Sequence, residues 1–181
     1  MRYTNLLAAV AATFAVATPA MAQQVTATGN PVAKGVVVLP LTLAKNSDLD
    51  FGTVVASTTV AGTVAISADD GSRAVTGGVV GVLSAPGGRA LFTGAGTATQ
   101  QVVLTLQAPA VLTSGSNTIT VNSMTFDTAA ASTVVSGNQT TTRTIDASGA
   151  FTVGVGGVFA IKANQANGVY SAPFTVTAQY N

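Results

Sequence analysis

The chain has 181 residues, with seven Lys and Arg against six acidic residues, and it contains no Cys, His or Trp. Every acidic residue is an Asp, so the usual general bases, nucleophile–base pairs and zinc ligand sets have little to be built from. A formal net charge of +1 supplies no basic patch for nucleic acid or anionic lipid. A non-enzymatic protein with no cofactor and no nucleic-acid partner is therefore expected.

Residues 1–22 read as an export signal. Arg2 gives the positive start, Leu6 to Ala17 the apolar stretch, and Ala20-Met21-Ala22 an A-x-A cleavage site. The stretch is short for a membrane span, so cleavage before Gln23 is expected, leaving no stable transmembrane segment. The expected location runs from the periplasm to the cell surface or beyond. Without a disulfide, an exported domain is held by packing alone. Near-zero charge also removes the usual repulsion between copies.

Residues 23–35 form an N-terminal extension. Val25, Ala27, Gly29 and Pro31 alternate with polar residues. It is either a flexible leader or a weak extended segment that pairs only in a partner's groove.

Residues 36–181 form the domain. Val36 to Leu43 reads as its first strand, with Pro40 confining it to an edge or forcing a bulge. Lys45 to Asp48 reads as a turn. Ala61 to Ser67 is a strand, and Asp69-Asp70-Gly71 a hairpin turn. Arg73 to Leu83 holds Gly77-Gly78 and is one bent strand or two short ones. Ala90 to Gly94 and Gln101 to Leu106 are strands, and Pro109 to Ser116 reads as a loop. Asn117 to Phe126 alternates, with Ile119 and Val121 on one face and Ser123 as its third member. Residues 127–142 give no clear element. Ala150 to Ile161 gives one or two strands around a Gly-rich bend.

The last stretch carries the strongest strand signal. Phe174, Val176, Ala178 and Tyr180 fall on one side of an extended chain, and Thr175, Thr177 and Gln179 on the other. An open amphipathic edge would template aggregation, so something must pair it. Many short strands with frequent turn signals predict an antiparallel sandwich or barrel.

Asp48 and Asp50 share one side of an extended segment, as a calcium site or an acid/base pair would need. Beside Ser47 and Phe51-Gly52 they read as a solvated turn. Gly154 to Gly157 reads as a strand bend, because no Gly-Lys-Ser/Thr ending and no helix follow.

Two motifs carry a resemblance. Asp48-Leu49-Asp50-Phe51-Gly52-Thr53 with Ala61-Gly62-Thr63-Val64 opens it. Ala163-Asn164-Gln165, Gly168-Val169-Tyr170-Ser171 and Phe174 to Tyr180 close it. Together they resemble a family of small exported bacterial domains of unassigned function. The closing half is also similar to the C-terminal strand of chaperone–usher pilins of the archaic, spore-coat-U-like branch. That resemblance implies an immunoglobulin-like β-sandwich lacking its last strand and completed by donor-strand exchange. A periplasmic chaperone and an outer-membrane usher would be partners, as would copies of the chain itself. Phe174, Val176, Ala178 and Tyr180 would edge the groove. Asn181 would anchor the chaperone, and Val25, Ala27, Gly29 and Pro31 would supply the donor segment. The pilin disulfide is missing here, and this donor is small.

The function expected is thus a pilin-like structural subunit of a bacterial surface fibre. The alternative is a self-contained exported sandwich acting as an adhesin or carbohydrate-binding module. Its aromatic platforms would have to come from Tyr170 and Tyr180, with no Trp available.

Overall fold

The structure, a computed structural model, describes residue 29 and residues 32–127 and 138–181. Residues 37–181 form one compact unit. Every regular element among the described residues is a strand. In chain order they are β1 (Thr42–Ser47), β2 (Val54–Val55), β3 (Gly62–Ile66), β4 (Arg73–Gly77), β5 (Val80–Gly81) and β6 (Ala90–Ala95). They continue as β7 (Gln101–Gln107), β8 (Val111–Ser114), β9 (Asn117–Phe126), β10 (Asn138–Thr144), β11 (Ala150–Ile161) and β12 (Thr175–Tyr180).

The expected all-β antiparallel sandwich is what forms. A seven-stranded sheet holds β1, β3, β4, β6, β8, β9 and β11, and a three-stranded sheet has the order β10-β7-β12. All pairings are antiparallel.

The larger sheet is built on β11. Val155 pairs with both Ala90 and Phe126, so β6 and β9 lie on opposite edges of β11. Residues 157–160 pair with both β3 and β9. Strands β6 and β3 therefore follow one another along a single edge of β11, with β9 along the other. Where β6 gives way to β3, the connection leaving β3 crosses close over β11. A methyl group at Gly156 would meet the Ile66 carbonyl and the Ala68 amide, and one at Gly154 the Ala68 carbonyl. The glycines that read as a bend thus allow one continuous twelve-residue strand, not two, to be crossed at close range.

The main core lies between the sheets. Val102, Leu104 and Leu106 of β7 face Ala90 and Phe92 of β6, Val153 and Val155 of β11, and Met124 and Phe126 of β9. The strict alternation of β7 is what places Val102, Leu104 and Leu106 inside together. A smaller cluster of Val64, Val79, Ile119, Phe159 and Ile161 sits under the second half of β11.

Three readings of the sequence are corrected. First, the opening strand is Thr42–Ser47, later than expected, and Lys45 to Ser47 belong to it, not to a turn. Upstream, the N–H of Leu39 donates to Thr97 Oγ1 and its C=O accepts from Tyr180 Oη. Pro40 has no N–H to give, so pairing with β6 starts at Thr42↔Ala95. Second, the expected loop at 109–116 contains β8, which makes a tight hairpin with β9 through Gly115-Ser116. Gly115 has φ 57°, the left-handed conformation such a two-residue turn requires. Third, Ser123 does not continue the Ile119–Val121 face. A bulge between the Val121 and Ser123 pairings shifts the phase, and Met124 and Phe126 become the buried residues. Of the two alternatives for Arg73 to Leu83, two short strands form. Arg73 ties them together by donating to the carbonyls of Thr53, Val82 and Ala85.

Candidate functional site

The two sheets do not close on every side. Strand β12 pairs with β7 alone, and β1 with β6 alone, among the described residues. These two edge strands flank one side of the sandwich, and both present their apolar rows there. Leu41, Leu43, Phe174, Val176, Ala178 and Tyr180 all pack against the main core yet stay only half-buried. Thr175, Thr177 and Gln179 face outward and are exposed. The period-2 row read from the sequence is therefore a real face, turned toward the core and incompletely covered.

One end of this side is tied shut. The Leu39 N–H donates to Thr97 Oγ1 at 2.6 Å, the Thr97 N–H donates to Tyr180 Oη at 2.8 Å, and Tyr180 Oη donates to the Leu39 C=O at 2.8 Å. The three groups form a closed ring of hydrogen bonds. Gly96 makes the approach possible, since a methyl there would meet Tyr180 Oη, Ile145 and Leu41. Beyond Tyr180, Asn181 continues the ladder by donating its N–H to the Gln101 carbonyl at 3.0 Å.

The other end opens into a cleft of about 770 Å³. Its floor includes Phe92, Met124, Ile119 and Phe159, and its rim Lys45, Asp48, Asp50 and the stretch Gly168 to Phe174. Phe174 meets Phe92 edge-on, with ring centres 6.2 Å apart.

The two aspartates on the rim are engaged locally. Asp48 pairs with Lys45 Nζ at 2.6 Å. Asp50 Oδ1 accepts from the Gly52 N–H at 2.8 Å, and the Asp50 backbone exchanges two hydrogen bonds with Gly88. No group of three potential metal ligands converges among the described residues. Asp50 thereby sets the turn at Gly52 (φ 72°) and places Phe51 edge-on against Phe159, with ring centres 4.4 Å apart.

The closing motif arrives at the same place. Gln165 Nε2 donates to Tyr170 Oη and to the Thr118 carbonyl, and Tyr170 Oη donates to the Ala166 carbonyl. Ser171 bridges to Thr113. Phe51 and Tyr170, one from each motif, both pack on the smaller core cluster and both line the cleft. The two motifs at opposite ends of the sequence are one structural joint.

Of the proposed donor residues, Val25, Ala27 and Pro31 lie outside the described residues, and Gly29 is exposed with φ 111°. The sequence reading did not anticipate that Val36 (86%), Val37 (96%) and Leu39 (62%) would be exposed, with Val38 at 39%. Their apolar character is visible in the sequence, where it reads as part of the first strand. The cleft had no sequence signal of its own, because its walls come from segments more than a hundred residues apart.

An antiparallel β-sandwich with one incompletely covered side is the class that this fold and site define. Residues 41–180 match the family described as a domain of unknown function, DUF4402, and the chain belongs to that family. No curated protein and no solved structure matches it.

Proposed function

We propose that the chain is a non-enzymatic structural subunit of a bacterial cell-surface fibre, pilin-like, that assembles by addition of a β-strand from another copy. The observation that carries this reading is the half-buried row Phe174, Val176, Ala178 and Tyr180 beside Leu41 and Leu43, between two edges unpaired among the described residues. A strand laid there would gain main-chain hydrogen bonds from an edge and apolar contacts at alternate positions. The resemblance of the closing strand to archaic chaperone–usher pilins supports the same reading. On it, the chain is exported, a periplasmic chaperone covers the row first, and an usher exchanges the chaperone for the next subunit.

The test is the assembly state of the mature chain beginning at Gln23, by light scattering and electron microscopy. Filaments or heat-resistant ladders are expected. Monodisperse monomer under all conditions, with or without a chaperone, would contradict the proposal. The cleft favours the second reading, a self-contained adhesin or carbohydrate-binding module, because Phe51, Tyr170 and Phe174 line it with aromatic rings. A glycan array without signal would remove that alternative.

A further inference from the structure

We infer that the strand received by a second copy is the run Val36-Val37-Val38, rooted at Leu39, and not the segment Val25 to Pro31. This rests on the strand-addition reading above and names its donor.

These three consecutive large apolar residues belong to no strand and are 39–96% exposed. Val is a strong strand former, so such a run is both sticky and predisposed to pair. Val25, Ala27, Gly29 and Pro31 offer far less apolar area, and Pro31 removes one ladder donor.

In its own domain the run lies in no strand and is exposed, and its direct return onto β1 is barred for a local reason. Leu39 and Thr42 are separated by Pro40-Leu41. Folding the run straight back onto β1 would need a two-residue hairpin turn, whose first central residue requires a positive φ. Proline fixes φ near −65° and forbids it. At the same time, the hydrogen bonds of Leu39 to Thr97 and Tyr180 fix the root of the run to its own domain. Each copy thus carries an anchored, uncovered apolar run and a half-covered apolar row between two edges. Pairing the run of one copy with the row of the next is head-to-tail, and it leaves a free run and a free row at the two ends of any open chain.

The test is a triple variant, Val36→Ser, Val37→Ser and Val38→Ser, in the mature chain, compared with Val25→Ser, Ala27→Ser. The heat-resistant ladder and the light-scattering mass are read, and melting temperature is measured on both. The triple variant is expected to melt with the wild type and to lose all species above monomer. Retention of the ladder by the triple variant would overturn the inference. If Val25→Ser, Ala27→Ser then abolishes it, strand addition survives with the upstream donor. A wild type that never assembles overturns both readings. Should the triple variant melt early, a peptide spanning residues 32–40, added in excess to wild type, must lower the assembled fraction. No change would overturn the inference.

Discussion

Tyr180 sits at the seam between the two edge strands, where its hydroxyl both accepts and donates. Through it the last residue of β12 holds the chain just ahead of β1, 141 positions away in sequence. Asp70 does comparable work within a turn. Its carboxylate accepts from the Ser72 N–H at 2.9 Å and the Ser72 hydroxyl at 2.8 Å. These bonds, the Ser72 backbone foremost and then the Ser67 and Ser72 hydroxyls, hold its pKa down at about 2. A folded pKa below the unfolded value means stability that is fully present above the unfolded pKa, near 4, and lost as pH falls through about 2. Asp146, bonded first by Ser148 and then by the Ala150 backbone, is shifted in the same direction. Substitution Asp70→Asn is therefore expected to lower the melting temperature at pH 6 and to have a markedly smaller effect near pH 2. Melts at the two values check this, and a gap undiminished at pH 2 would count against the turn's charge being the cause.

At the scale of elements, β11 governs the larger sheet. It takes β6 and then β3 on one edge because Gly154 and Gly156 let the chain leaving β3 pass against its backbone. Substitution Gly156→Ala puts a methyl where the Ile66 carbonyl and Ala68 amide lie, and backbone cannot rotate away as a side chain can. A loss of about 1–3 kcal/mol is expected, the range found for overpacking, read as a lower urea midpoint at unchanged slope. An unchanged midpoint would mean that the crossing is looser than described. The sequence revealed strands whose own side chains alternate, such as β7 and β12, because period-2 patterning is local. It revealed neither the continuity of β11 nor the bulge in β9, because both depend on which strands lie alongside. The hairpin of β8 is legible in principle from Gly115-Ser116, although the whole of Pro109 to Ser116 reads as a loop. The run Val36 to Leu39 reads as a strand from propensity, but Pro40 keeps it from turning straight back onto β1 and it lies in no strand.

At the scale of the whole molecule, the opening and closing motifs meet as Phe51 and Tyr170 on one core cluster. The half-covered side was foreshadowed only by the alternating row of β12; its partner β1 and the cleft at its end are products of the fold. The account places the assembling contact on that side. The most direct check is hydrogen exchange of the β1 and β12 amides in assembled and monomeric protein. Pairing of a new strand predicts that amides of β12 not bonded to β7, or of β1 not bonded to β6, become protected by about a hundredfold or more on assembly, as closed ladder bonds are. Assembly that leaves every amide of both strands exchanging as it does in the monomer would contradict the claim that this side receives the strand.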